Sequence, residues 1–210
     1  MNRLATATFA SMLACTTALC AQQDGKPDMP VDFGFGYRIN WAPVGLLGDL
    51  TNITPNMGGY MEWIGHIKKD SAALRFRISE DRWNGAWGKE TSFRGSDGHT
   101  VKTSRFTVSL GLMLLFDSQK DPDTKHSVCL EFGSTRWNID SSNYQPLKGN
   151  MYDRPMAGIH YGQCYKDMTF EVGVEACFLK TDNIDFKSYS KTSYTVTTGL
   201  GWRWRAIREK

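Results

Sequence analysis

The residue pair most suggestive of catalysis is His126-Ser127, a base beside a nucleophile of the type that hydrolases use. Adjacent residues on a β-strand point to opposite faces, so these two side chains cannot simply hydrogen-bond as base and nucleophile. His66 and His160 fall on the polar faces of their strands, and Glu62 lies near His66 in the sequence. A metal site needs three or four ligands, however. We therefore expect packed polar side chains there, and no catalytic residue, metal or cofactor.

The elements that position these side chains follow from a period-two alternation of polar and apolar residues, which is the pattern of β-strands. The alternating segments are 33–41, 57–67, 72–82, 104–116, 126–137, 154–164, 168–179 and 193–205. In each segment one face is large and apolar, and the other combines Gly with polar or charged residues. Trp137 falls on the polar parity, which indicates a bulge or a strand end.

The connections between these segments alternate between long and short. The long connections are 42–56, 83–103, 138–153 and 180–192, and the short ones are 68–71, 117–125 and 165–167. In an up-and-down barrel, odd and even connections lie at opposite ends, and long loops at one end are typical of outer-membrane barrels. The sequence predicts an all-β, eight-stranded, antiparallel, up-and-down transmembrane β-barrel.

The polar faces carry nearly balanced charges among many Gly residues. An eight-stranded barrel has an interior just wide enough for side chains to fill, so Gly leaves room for a few long ones. Because buried charges need partners, the pattern predicts an ion network in the lumen. Its predicted members are Arg38, Glu62, Arg75, Arg77, Arg105, Glu131, Glu171, Glu175 and Arg203.

Amphipathic strands also fit a soluble barrel with its apolar face inward, so two alternatives stay open. The first is a periplasmic, lipocalin-like barrel that binds a hydrophobic ligand. The second is a lipid-modifying barrel enzyme, which needs a Ser/His/acid cluster at the outward rim. Aromatic residues near the strand ends favour the membrane barrel, since membrane barrels carry aromatic girdles at both interfaces.

Residues 1–21 have a short positive start, an apolar middle and small residues at the end, as a secretory signal peptide does. We expect a periplasmic N-terminal tail over 22–31, the barrel over 32–205 and a C-terminal tail over 206–210. The 210-residue chain has a net charge of only +3, which argues against a nucleic-acid partner.

The last segment, Tyr194-Thr195-Val196-Thr197-Thr198-Gly199-Leu200-Gly201-Trp202-Arg203-Trp204, alternates apolar residues and ends on aromatics. With the strand count and loop asymmetry, it resembles the small eight-stranded outer-membrane barrel family of the OmpA transmembrane-domain and OmpX type. The resemblance implies a monomer among outer-membrane lipids, with a structural or surface-interaction role. It also implies that Trp202 and Trp204 form an assembly signal for the barrel-insertion machinery, although here Arg205 to Lys210 follow the aromatics. Eight strands leave no channel for a general diffusion porin.

Removal of the signal peptide leaves Cys129, Cys164 and Cys177. The predicted turns place Cys129 and Cys164 at the same end of neighbouring strands, both facing inward. Cys129 and Cys164 are therefore candidates for a disulfide, provided that their Cα atoms lie within about 7 Å.

Trp83 and Trp87 open the longest predicted connection and lie between Gly residues. Exposed there, they are candidates for a surface contact with a sugar or a partner. The alternative is a hairpin that extends the barrel wall, with the Trp side chains at the membrane interface.

Overall fold

The computed structural model describes residues 31–44, 56–68, 71–87, 99–119, 121, 123–142, 150–178 and 192–205. The strands are β1 (Val31–Val44), β2 (Asn56–Lys68), β3 (Ala72–Trp87), β4 (His99–Asp117), β5 (Thr124–Ser142), β6 (Asn150–Tyr165), β7 (Met168–Phe178) and β8 (Thr192–Arg205). Each strand pairs antiparallel with the next, and β8 pairs with β1, so the sheet is a closed barrel. The predicted eight-stranded up-and-down barrel is confirmed.

The two faces of the sheet follow the alternation in the sequence. On β1, Phe35, Tyr37 and Ile39 lie on the outside, and Arg38 and Asn40 are buried inside. Closure leaves no strand edge exposed, which removes the risk of edge-to-edge pairing. In the described part of the chain, no helix is long and apolar enough to cross a bilayer.

The strand ends joined by long connections and those joined by short ones lie at opposite ends of the barrel, as predicted. Residues 45–55, 88–98, 143–149 and 179–191 separate strands at one end, and 69–71, 118–123 and 166–167 at the other. We call the latter the short-turn end. There, Lys166 has a φ of 52°, a left-handed conformation that tight hairpins require.

In the turn between β4 and β5, the Asp121 carboxylate accepts hydrogen bonds from the Asp123 amide at 3.0 Å and the Thr124 hydroxyl at 2.7 Å. These two bonds hold the pKa of Asp121 below its ordinary value. The carboxylate therefore has a role in shaping the turn.

Every strand except β7 is longer than predicted. β3 continues to Trp87, with Trp83 opposite Thr103 and Trp87 opposite His99 on β4. Trp83 and Trp87 therefore lie in a paired strand, as the alternative of a hairpin that extends the barrel wall expects, and a surface contact at these residues stays a prediction. β5 runs to Ser142, and its register with β6 shifts between Thr135 and Trp137, where the alternation breaks.

The predicted signal peptide and C-terminal tail lie outside the described residues, as does the N-terminal tail up to residue 30. Val31 belongs to β1.

Candidate functional site

The barrel interior is a layer of charged side chains packed among Gly residues. A Cβ atom on Gly173 would lie 2.3 Å from Nδ1 of His160, and one on Gly201 would lie 2.3 Å from the Tyr60 hydroxyl. Real Cβ atoms do not come this close, so these positions fit only Gly unless their neighbours move. The Gly residues of the inner face thus make the space that the large polar side chains occupy.

Asp81 is the centre of the ion cluster nearer the long-loop end. Its carboxylate accepts bonds from Arg38 at 2.5 and 2.8 Å, and from Nε of Arg105 at 2.8 Å. Asn40 donates a further bond at 2.6 Å. Glu175 lies 2.9 Å from Arg38 and 2.8 Å from Arg105, so each guanidinium contacts two carboxylates. All five side chains are buried.

A second cluster lies nearer the short-turn end and joins β2, β3 and β7. Arg77 contacts Glu62 at 2.7 Å and Glu171 at 2.5 Å. Arg75 also pairs with Glu171. Arg203, on β8, donates to Glu62 at 2.9 Å. In these pairs the guanidinium and carboxylate groups alternate around the lumen, so each charge has a neighbour of opposite sign.

His160 connects the two clusters. Its Nε2 lies 3.2 Å from Glu131 and 3.8 Å from Glu175, and its Nδ1 lies 3.2 Å from Glu171. Both ring nitrogens face carboxylate oxygens, and both are donors only in the protonated imidazolium form. Arg75 pairs with Glu131 on its other side at 2.5 Å. The geometry fits a cationic His160 in a continuous ion network.

Glu131, His160 and Glu175 also bring three potential metal-ligand atoms within 4.8 Å of one another. However, Arg75 and Arg105 already neutralise the two carboxylates at 2.5 and 2.8 Å. A divalent cation placed there would face these guanidiniums at close range. The donor set therefore fits ion pairing better than metal binding.

A small apolar patch interrupts the polar interior. Ile64, Ala73, Met113 and Cys129 pack together with almost no exposure, and Leu115 packs against them. Met113 and Leu115 lie on the inner face of β4, near its C-terminal end. The lumen wall is therefore apolar at this place.

All nine predicted lumen residues lie inside the barrel and belong to these clusters. Two members of the network, Asp81 and Asn40, were not predicted. His160 was placed on a polar face, but its central position in the network was not predicted. The signal was present, since Asp81 has the same parity as Arg75 and Arg77 on β3, and Asn40 the same as Arg38 on β1.

The outer surface of the described residues is mostly apolar. Phe132 is 66% exposed, and Leu112, Ile159 and Phe170 are each about half exposed. Six aromatic rings form a row across β3, β2, β1 and β8, with neighbouring centroids 5.0–5.9 Å apart. This aromatic row consists of Phe76, Trp63, Phe33, Trp204, Phe35 and Trp202. Trp202 and Trp204 thus face outward, beside the β1–β8 junction.

At the short-turn end the lumen opens into a cavity of about 540 Å³, which we call the vestibule. Its lining includes Asp32, His66, Leu115, Lys125, Lys166 and Arg203. A much smaller cavity of about 10 Å³ lies between Glu62, Arg77 and Arg203, and this is about the room that one water needs.

The candidate Cys129–Cys164 disulfide is not formed, and both thiols are free. In the register of β5 and β6, Cys129 is opposite His160, and Cys164 is opposite Lys125. Cys129 is therefore four residues along β5 from the position opposite Cys164. At about 3.3 Å per residue, this separation is well beyond the Cα–Cα distance that a disulfide can span. The prediction failed because β5 begins at Thr124, which places Cys129 further from the short-turn end.

His126 and Ser127 face opposite sides of the wall. The His126 ring stacks outside between Phe116 and Tyr161, and its Nδ1 lies 2.7 Å from the Tyr161 hydroxyl. Ser127 is buried on the inner face. The pair therefore does not form a base and nucleophile within hydrogen-bonding distance.

These features define a closed eight-stranded barrel with an ion-paired interior and an apolar exterior. No protein-family model matches the chain, and no curated protein matches it in sequence. Solved structures with a similar fold include those of the three proteins that follow. Neisserial surface protein A has a TM-score of 0.49 and 14% identity, and the match covers 83% of this chain and 95% of that chain. Ail of Yersinia pestis, in complex with the heparin analogue sucrose octasulfate, has a TM-score of 0.45 and 10% identity, with 84% of this chain and 99% of that chain covered. The N-terminal β-barrel domain of Pseudomonas aeruginosa OprF has a TM-score of 0.42 and 12% identity, with 84% of this chain and 98% of that chain covered. These neighbours are small eight-stranded outer-membrane barrels, the family that the sequence resembles. At these identities the likeness is one of fold alone.

Proposed function

We propose that this protein is a monomeric barrel of the outer membrane with a structural or surface-interaction role. Residues 1–21 direct export, the short-turn end faces the periplasm, and the long connections face the cell exterior. The barrel is surrounded by outer-membrane lipids, and the β8 aromatics Trp202 and Trp204 are read by the insertion machinery during assembly.

The observation that carries this proposal is the inverted polarity of the barrel wall. In the described part of the barrel, large apolar side chains cover most of the outside, while the buried charged residues are paired within the lumen. Soluble monomers rarely expose continuous apolar patches larger than a few hundred Å². A lipid bilayer is the solvent that such an exterior fits, and closure pairs every strand edge as the bilayer requires.

The lipocalin-like alternative requires apolar side chains around an internal cavity. In the described part of the barrel, Arg75, Arg105, Glu131 and His160 occupy the middle of the lumen instead. The lipid-modifying alternative requires a nucleophile and base at the outward rim, and His126 and Ser127 lie on opposite faces. Both observations favour a non-enzymatic membrane barrel.

The proposal is tested by extracting the protein from membranes and comparing its electrophoretic mobility with and without boiling in detergent. We expect extraction only with detergent, and a fast unboiled band that becomes slower on boiling because the closed barrel resists detergent. A variant that ends before Thr192 lacks β8 and should show one mobility. Release without detergent, together with one mobility for the intact chain, would contradict a membrane barrel.

The filled lumen is tested separately, in planar bilayers. Because the ion clusters occupy the interior, we expect conductance far below that of a 16-stranded porin, whose lumen is an aqueous channel. Stable porin-sized steps from the intact protein would contradict the filled lumen and leave the membrane location unaffected.

A further inference from the structure

We propose that β2 latches β8 from inside the barrel, across β1, and so keeps the wall closed at the β1–β8 pair. We call this pair the seam. Every other pair of neighbouring strands is also joined by a connection, whereas the seam closes the sheet between the first and last strands of the barrel. An open seam leaves two edges of unpaired backbone groups, which are costly in a membrane and prone to aggregate in water. The inference rests on the geometry of the inner face and does not depend on the membrane location.

The first bridge across the seam is the Tyr60 side chain. Tyr60 on β2 is opposite Gly36 on β1, and Gly36 is in turn opposite Gly201 on β8. A Cβ atom on Gly36 would lie 2.7 Å from the Tyr60 hydroxyl, and one on Gly201 would lie 2.3 Å from it. A hydrogen bond with Thr169 on β7 holds the hydroxyl, and the Arg77 guanidinium lies 4.4 Å from the ring centroid. The buried phenol therefore crosses β1 and ends over β8.

The second bridge is the ion pair between Glu62 and Arg203. Glu62 on β2 and Arg203 on β8 are both opposite Gly34, one on each side of β1. Nη2 of Arg203 donates to Oε1 of Glu62 at 2.9 Å, and a Cβ atom on Gly34 would lie 3.0 Å from that same oxygen. The ion pair therefore passes over Gly34 and joins β2 directly to β8. We call Tyr60, Glu62 and Arg203 together the seam latch.

Arg38, the next inward residue of β1, holds this strand from both sides. Its guanidinium contacts Asp81 on β3 at 2.5 Å and Glu175 on β7 at 2.9 Å. Both contacts skip a strand, since β2 lies between β1 and β3, and β8 lies between β1 and β7. At three consecutive inward positions of β1, Gly34, Gly36 and Arg38, side-chain contacts therefore join strands that are not neighbours in the sheet.

Because the latch skips a strand, β8 cannot move away from β1 without also breaking its contacts with β2. When part of a protein opens locally, its backbone hydrogen bonds break and its amide hydrogens exchange with solvent. We therefore expect the seam amides to be protected in the intact barrel and to lose protection when the latch is removed.

The test is amide hydrogen exchange of the folded, detergent-solubilised protein, read by mass spectrometry of peptides from each strand. Tyr60→Ala should accelerate exchange in β1 and β8 by more than about tenfold, since it removes the packing of a buried aromatic side chain. Arg203→Met is the milder variant, because Glu62 keeps its contact with Arg77 at 2.7 Å. It should accelerate exchange at the seam by at least about threefold, the scale of one lost hydrogen bond.

The matched control is Met113→Ala, which truncates another buried side chain away from the seam. Met113 is on β4 and packs against Ile64, Ala73 and Cys129 of β2, β3 and β5. This variant should accelerate exchange in those strands and leave β1 and β8 unchanged. Seam amides that neither latch substitution affects, or that exchange faster only in step with every other strand, would overturn the proposal. Equal acceleration of the seam by Met113→Ala would also overturn it.

A covalent lock shows whether the faster exchange comes from opening of the seam. Tyr37 and Leu200 are directly opposite each other across the seam, on the outer face. Such opposite residues have Cβ atoms close enough for an engineered disulfide. Tyr37→Cys and Leu200→Cys, added to Arg203→Met, give one chain that can be compared oxidised and reduced. Seam exchange in the oxidised form should return to the rate of the intact protein while the reduced form stays fast, and fast exchange in both forms would overturn the proposal.

Discussion

Asp81→Asn should destabilise the barrel by about 3–5 kcal/mol, the usual cost of removing one partner from a buried ion pair. The Asp81 carboxylate is fully buried and makes contacts of 2.5–2.8 Å with Arg38, Arg105 and Asn40. The amide keeps the shape but leaves two guanidiniums with Glu175 as the carboxylate that they share. Its NH2 group also replaces an oxygen that accepts hydrogen bonds, so donors face donors.

The matched control is Glu80→Gln, which removes the same charge one residue away on the outer face. Glu80 pairs with Arg82 at 2.7 Å, but both side chains are at least half exposed, so the loss should be below about 1 kcal/mol. The assay is urea unfolding of the detergent- or vesicle-reconstituted barrel, followed by tryptophan fluorescence. Adding Arg105→Met to Asp81→Asn should recover part of the loss, because it removes an uncompensated charge. Equal costs for Asp81→Asn and Glu80→Gln would refute the reasoning and indicate a hydrated lumen.

Two further predictions concern packing inside and outside the wall. Gly173→Ala should cost about 1–3 kcal/mol, since its Cβ would lie 2.3 Å from the buried His160 ring. Gly65→Ala should change stability by less than about 0.5 kcal/mol, because a Cβ there meets nothing within 4 Å; equal urea midpoints for the two variants would contradict the close packing. On the outside, a double-mutant cycle of Trp204→Leu and Phe33→Leu should give a coupling energy of about 0.5–1.5 kcal/mol, because their ring centroids lie 5.0 Å apart across the β1–β8 junction. A coupling near zero would show that the two rings act independently.

The barrel could be predicted from the sequence because a period of two assigns each residue to a face once the strands are located. The same rule assigns Arg38 and Arg203 to the lumen from opposite ends of the chain. The period of two could not show which charged side chains form ion pairs, because the pairing depends on the register between strands. Asp81 binds Arg38 and Arg105 from two other strands.

The errors lie where local and long-range preferences disagree. Asn84-Gly85 has the composition of a turn, but these residues pair with Lys102 and Val101 and continue β3. Strand pairing with a neighbour overrides the local preference at such positions. For Cys129 and Cys164, the predicted inner face was correct, but their predicted positions along the strands were wrong. A disulfide requires the same face and neighbouring positions.

The aromatic row also has a consequence for the order of assembly. Phe33 and Trp204 belong to the first and last strands of the barrel, so their contact closes a loop that contains all the other strands. Closing so long a loop carries a large entropic cost, and contacts of this kind form late in folding. The row therefore joins only when β8 is present, and a chain without β8 keeps two unpaired edges. The barrel can close only after β8 has been synthesised.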